Sequence, residues 1–122
     1  MGGDRLFSKE HIWVLKDGES VVLGISDYAQ EKLGNIMFLN LPDIGDRLTI
    51  GACFGDIESI KMVSDLISPV DGEVVKVNEG LVDEPDSMNT DPYESWLVEV
   101  KADAVAEDLM SEETYLVCKE EL

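Results

Sequence analysis

Hydrophobic positions along the chain fall in short alternating segments, each closed within a few residues by Gly, Pro or Asp. Residues 11–15, HIWVL, and 20–25, SVVLGI, read as two strands joined by the turn Lys16-Asp17-Gly18-Glu19, because Asp-Gly supplies the left-handed backbone of a tight hairpin. Ser26 and Asp27 then offer helix N-caps, with Gln30 three residues after Asp27 as in a capping box. Ile25, Ala29 and Leu33 recur every four residues and Gly34 is a good C-terminal stop, so the pattern predicts a helix of about two turns.

Beyond that helix the strands come quickly. Residues 36–41, IMFLNL, form an apolar run bounded by Pro42 that suits a buried strand. The turn Pro42-Asp43-Ile44-Gly45-Asp46 leads into RLTI and then ACFGDIESI, and Pro69-Val70-Asp71-Gly72 makes a turn into the strand GEVVKVN at 72–78. Residues 79–95 carry Pro85, Asn89, Asp91 and Pro92, which break any period, and read as a long surface loop. In 96–101 the apolar residues Trp96, Val98 and Val100 alternate with a mostly polar set, the mark of a half-buried strand. The tail from Ala102, AVAEDLM and then SEETYLVCKEEL, reads as helix, with Ser111 capping its second part alone because Thr114 stands where a capping box wants Glu or Gln. The whole is the pattern of a mainly β sandwich or barrel in one domain spanning 1–122, with β-rich halves on either side of Lys61.

Lys61 is the centre of the most suggestive stretch, 55–69, GDIESIKMVSDLISP. Two strand-like arms, Asp56-Ile57-Glu58-Ser59-Ile60 and Met62-Val63-Ser64-Asp65-Leu66-Ile67, flank it, rich in residues that fit a pleated surface. If the arms pair, the lysine lies near a hairpin tip with its amine in solvent, where a lysine awaiting modification has to be.

Charge changes the picture more than composition does. Nine Lys+Arg against 27 Asp+Glu give a formal net charge of −18, a surface that repels phosphate backbones and anionic lipid, so nucleic acid is a poor partner; the acid either keeps a small protein soluble or steers it to basic faces on partner proteins. No apolar run approaches the ~20 residues of a membrane-spanning helix, and MGGDRLFSKEH lacks the basic-then-apolar order of a secretion signal. The expected place is therefore the cytoplasm, with no membrane association. Cys53 and Cys118 form no CxxC pair and, with the single histidine His11, offer no zinc spacing, so each is expected to be a small buried apolar residue or an idle thiol. A lone histidine beside Trp13 fits a structural role better than acid–base work, and no G-x-S-x-G, phosphate-cradling loop or H-E-x-x-H occurs. The residues make no case for catalysis.

The run FGDIESIKMVSDLISPVDGEVVKVNEGL, 54–81, resembles the lipoyl-carrying H-protein family of the glycine cleavage system. The family's Glu-Ser-Val-Lys-Ala stands here as Glu58-Ser59-Ile60-Lys61-Met62, followed by Ser64-Asp65, Pro69, Gly72-Glu73-Val74 and Val77-Asn78. His11 and Trp13, GISDYAQEKLGNIMFLNLP at 24–42, Gly45, Pro85, Asn89, Asp91-Pro92-Tyr93 and Trp96 extend the likeness over nearly the whole chain. The resemblance implies a lipoyl/biotinyl-type barrel-sandwich hybrid of two antiparallel sheets with a short internal helix and a helical C-terminus. It implies lipoate in amide linkage to Lys61, with Glu58, Ser59 and Asp65 as the context that a lipoate ligase or lipoyltransferase recognises. It also implies a non-catalytic carrier that takes an aminomethyl group from glycine decarboxylase to aminomethyltransferase and is reoxidised by dihydrolipoyl dehydrogenase. Tethering the reactive group keeps it at high local concentration for each partner. Biotinyl domains share this fold and set their lysine between methionines; here Met62 follows Lys61 but Ile60 precedes it, and Glu58-Ser59 with the GISDYAQ region favours lipoate.

The chain departs from the family in two places. Its His-Glu-Trp is His11-Ile12-Trp13, and isoleucine cannot accept a hydrogen bond through its side chain. Tyr93-Glu94-Ser95-Trp96 is one residue shorter than the family's Tyr-x-x-Gly-Trp. In the family that glutamate is placed to hold the amine of the loaded arm. Its loss opens a second reading, an H-like lipoyl carrier serving another pathway: sulfur oxidation with a heterodisulfide-reductase-like complex, or ADP-ribosylation by a sirtuin, reversed by a macrodomain protein.

Overall fold

A computed structural model describes residues 5–121. Within these residues ten strands form two antiparallel sheets. The larger has the order β10-β1-β2-β3-β9-β8-β5, built from Met110–Ser111 (β10), Leu6–Phe7 (β1), Ile12–Asp17 (β2), Ser20–Ile25 (β3), Val98–Val105 (β9), Val70–Val77 (β8) and Arg47–Leu48 (β5). The smaller has the order β4-β6-β7, from Ile36–Asn40 (β4), Cys53–Ser59 (β6) and Val63–Ile67 (β7). The mainly β, two-sheet architecture is the one expected. The sheets are not two halves on either side of Lys61, however: the larger sheet takes strands from both.

Alternation along β2 shows why the larger sheet needs cover on both faces. Ile12 and Val14 join Leu23, Ile25, Val74, Val98 and Val100 in the main core, which faces Ile36, Leu39, Ile57 and Leu66 of the smaller sheet. Trp13 points the other way, into a second cluster with Phe7 and Tyr115. Tyr115 comes from helix α4, Glu112–Cys118, whose N-cap Ser111 accepts from Thr114 N, as the sequence suggests. Helix α1, Asp27–Leu33, is capped by Ser26, whose side chain accepts from Ala29 N, and ends at Gly34. Gln30 does not reach back to the cap; its amide donates to Asp27 Oδ1 at 2.9 Å.

Several local readings are corrected. The 11–15 strand begins at Ile12, because His11 has a φ of 70° and opens the chain into a loop anchored on Ser8. Its hairpin is tighter than expected, with Asp17 paired to Ser20 across Gly18-Glu19. Pro69–Gly72 is not a turn: Val70, fully buried, already begins β8 and pairs with Val105. RLTI shrinks to the two residues of β5. The 79–95 loop contains two short helices, Glu79–Asp83 (α2) and Ser87–Thr90 (α3), which bury Leu81 and Met88 on the core. Elements of one turn are too short to show a period, and neither has a side-chain cap to announce it. The Ala-rich 102–105 segment is strand rather than helix, since pairing of β9 with β8 outweighs helical propensity. Strand β4 is only half buried, and Cys53 is exposed rather than buried.

Gly55 sets how closely β4 and β6 approach. A Cβ there would collide with the Asn40 carbonyl oxygen, a backbone atom held in the β4–β6 ladder. Gly55→Ala is therefore expected to destabilise the protein by about 2 kcal/mol or more. A fall in the urea midpoint at unchanged m reads it, and an unchanged midpoint would contradict it.

Candidate functional site

The arms around Lys61 do pair. Asp56 faces Asp65, Ile57 faces Ser64, and Glu58 faces Val63. The hairpin closes through Ser59 N donating to Met62 O at 2.8 Å, leaving Ile60 and Lys61 as its tip. Ser59 builds this turn with its side chain as well. Its hydroxyl oxygen accepts from Lys61 N and Met62 N at 3.2 Å each, and the hydroxyl donates to Met62 O at 3.2 Å. A serine two residues before the lysine therefore rigidifies the loop that presents it.

Lys61 is exposed, and its amine belongs to none of the ion pairs among the described residues. Its stem is turned towards the end of α1. It lies over the backbone of Gly34, where an added Cβ would sit 3.2 Å from Cε and 3.5 Å from Cδ of the lysine. Gly34 has φ 75° and ψ −151°, a region essentially reserved for glycine, so the chain presents bare backbone to the stem. Ile60 N donates to Asn35 O at 3.0 Å and ties the tip to the same corner.

Around the tip lies an unusual collar. The ladder steps from Ile36 opposite Ser59 to Phe38 opposite Glu58, so Met37 is the extra residue of a bulge, and both Met37 and Phe38 are exposed. Phe38, Glu58 and Val63 form a row across the three strands, and Asn40, Asp56 and Asp65 form the next row on the same face. Phe38 is 57 % exposed, Val63 63 % and Ile60 69 %, a great deal of apolar surface for one corner of an acidic protein. Asn40 Nδ2 donates to Asp56 Oδ1 at 2.7 Å, whereas the Asp65 carboxylate in the same row makes no side-chain hydrogen bond among the described residues.

Of the residues singled out by sequence, Lys61, Ser59 and Glu58 are thus gathered at one end of the hairpin, and Asp65 stands one row further along its face. Ile12 is elsewhere: it is 2 % exposed, packed in the main core. Tyr93 and Trp96, ends of the shortened segment, pack against the second cluster, where Arg5 stacks on Tyr93 and Trp13 and donates to Tyr93 O at 2.8 Å. His11 bonds Tyr115 through Nδ1 at 2.6 Å, and its burial lowers its pKa below 6.5, in keeping with a structural role. Gly34, Asn35 and Asn89 are the site residues that sequence reasoning missed. Gly34 had a signal as a helix stop and Asn89 as a breaker, and both lie at positions that match the family pattern, but nothing in the sequence joined either to Lys61.

Little else offers chemistry. Among the described residues no cluster of three or more His, Cys, Asp or Glu could hold a metal, and no helix is long and apolar enough to cross a membrane. A cleft of about 470 Å³ between Pro42-Asp43-Ile44 and the α2 residues Glu79 and Val82 includes no residue of the hairpin.

Comparison with known proteins gives a consistent result. The profile of the family described as Glycine cleavage H-protein matches residues 5–121. The glycine cleavage system H protein of Clostridioides difficile strain 630 is 52 % identical over 112 residues, covering 89 % of this chain and 90 % of that one. That of Myxococcus xanthus strain DK1622 is 49 % identical over 100 residues, covering 81 % and 78 %. The crystal structure of a glycine cleavage system H protein from Mycobacterium marinum superposes with a TM-score of 0.90 at 38 % identity, covering all of both chains.

Proposed function

This chain belongs to the glycine cleavage H-protein family, whose members are non-catalytic carriers with lipoate held covalently on a lysine, and from that premise we propose that Lys61 is the lipoyl-bearing residue. The observation that carries the assignment is the position of Lys61 at the exposed tip of a two-residue hairpin loop whose backbone is fixed by Ser59. Its amine forms no ion pair among the described residues and the residue is exposed, which is what amide formation with a carboxylic acid requires. Bound there, lipoate supplies a dithiolane that accepts and releases a one-carbon unit and two electrons.

The chain's own residues present that arm. Ser59 holds the loop, while Glu58 and Asp65, together with exposed Phe38 and Val63, offer an acidic and apolar face to a lipoate ligase or lipoyltransferase. A carrier of this family works with glycine decarboxylase and aminomethyltransferase. We propose that residues 1–122 act as one lipoyl domain in the cytoplasm, moving the aminomethyl group between those two enzymes and being reoxidised by dihydrolipoyl dehydrogenase. The second reading, a carrier for sulfur oxidation or for sirtuin and macrodomain ADP-ribosylation, finds no support in relatives that bear the glycine cleavage name. Of the two departures from the family pattern, Ile12 fills the core, and Tyr93 and Trp96 of the shortened segment pack on the second cluster.

Peptide mapping by mass after incubation with lipoate, ATP and a lipoate ligase tests the assignment. The lipoyl mass is expected on the peptide containing Lys61 and on none containing the other six lysines. Modification elsewhere, or none at all, would overturn it.

A further inference from the structure

We infer that Asn89, in α3 and distant in sequence from the hairpin, is a positioning residue for the lysine that bears the lipoyl arm. The inference rests on the assignment of Lys61 and deepens it. Asn89 uses both ends of its side-chain amide on a single corner of backbone. Its Oδ1 accepts from Ile36 N at 2.9 Å, and its Nδ2 donates to Gly34 O at 2.7 Å and to Gln30 Oε1 at 3.0 Å. These bonds grip the segment Gly34-Asn35-Ile36 from both sides, between the end of α1 and the start of β4.

That segment is what the hairpin tip rests on. Asn35 O takes the Ile60 N–H at 3.0 Å, and the Lys61 stem lies on Gly34. The path from Asn89 to the lysine therefore runs through the hydrogen-bonded 34–36 backbone and the Ile60–Asn35 bond, beside the place where the Lys61 stem lies over Gly34. Asparagine suits the task because it donates and accepts from one short planar group; aspartate keeps the acceptor and loses both donors, and alanine loses everything. Without the grip, the 34–36 corner is free to move, and an enzyme docking on Lys61 must order it on binding.

The consequence is specific. Ordering cost on association raises the KM of the carrier for its ligase and leaves kcat, which is set by the ligase chemistry, nearly unchanged. N89A is expected to raise KM about tenfold with kcat within about twofold, the loss of one or two net hydrogen bonds. Asn89→Asp is expected to fall between it and the wild type. The Ile60 amide, whose only partner among the described residues is Asn35 O, is expected to exchange with deuterium about tenfold faster in N89A, while the Val100 amide in the large sheet keeps its protection relative to global stability. Gly34→Ala disturbs the same corner directly, since alanine rarely adopts its φ of 75° and ψ of −151° and its Cβ would crowd the Lys61 stem, and is expected to raise KM likewise.

Val21→Ala, a core truncation in β3 remote from the hairpin, serves as the control: it lowers stability and leaves KM unchanged. A folded N89A or Asn89→Asp with wild-type KM and a protected Ile60 amide overturns the inference, as does an equal rise of KM in Val21→Ala. Failure of the wild type to take lipoyl at Lys61 would instead sink the site assignment and this inference together, and peptide mapping of the wild type tells the two failures apart.

Discussion

Lys61→Arg is expected to abolish lipoyl attachment and with it all support of glycine cleavage, while leaving stability within about 0.5 kcal/mol of the wild type. The two halves of this result have separate causes. Arginine keeps the charge and most of the stem, but its guanidinium is protonated at any physiological pH and does not attack an activated acyl group. The lysine side chain makes no ion pair among the described residues and is exposed, so exchanging it removes no buried contact beyond a few methylenes on Gly34. Neither the Ser59 turn nor the Ile60–Asn35 bond involves its side chain. Intact mass after coexpression with a lipoate ligase, urea unfolding, and glycine-dependent turnover with glycine decarboxylase and aminomethyltransferase together read the outcome. Residual lipoyl mass on the variant, or turnover above the level without carrier, would refute it.

What could be read from the sequence follows the range of the interactions. The hairpin is set by residues within a dozen positions of one another, so its arms and its tip lysine were legible from β-forming types bracketed by Gly55 and Pro69. Strand β3 and helix α1 were legible for the same reason, being fixed by a local turn and the Ser26 cap. The corner beneath Lys61 was not. Gly34 looks like an ordinary helix stop, and only the folded chain shows a lysine from 27 positions later lying on it. Asn89 signalled a break in helical period, and what it binds lies 53 to 59 residues away. The 102–105 strand failed for a related reason: alanines favour helix locally, and their ladder partners are in β8. Ile12 was visible as a departure from the family pattern, and sequence could not tell that its side chain is spent on the core.

Tyr115→Ala is expected to cost about 3–5 kcal/mol. Its ring stacks on Phe7 at 4.6 Å between centroids and is 1 % exposed, so truncation opens a cavity under α4. Its hydroxyl joins three parts of the chain, lying 2.6 Å from His11 Nδ1 and 2.6 Å from Ser26 Oγ, the oxygen that caps α1. Tyr115→Phe keeps the stacking and loses the bridge, so about 1–3 kcal/mol is expected. The pH dependence separates the two contributions. Burial pushes the Tyr115 hydroxyl from 10 up to about 12. Below about pH 10 the folded and unfolded chains both keep this proton, and from there towards about pH 12 only the folded chain keeps it, so stability falls across that window as pH rises. The contribution lost is about 3 kcal/mol. On the acid side the His11 pKa is lowered by burial, so its contribution is present above about pH 6.5 and declines as pH falls below it. Urea unfolding of the wild type and Tyr115→Phe at about pH 9 and about pH 11.5 measures the alkaline part. The wild type is expected to lose more than the variant over that interval, since Tyr93, also raised by burial, is common to both. Parallel losses would mean that the Tyr115 hydroxyl titrates as freely as in the unfolded chain, and that the bridge from His11 to Ser26 does not hold α4 in place.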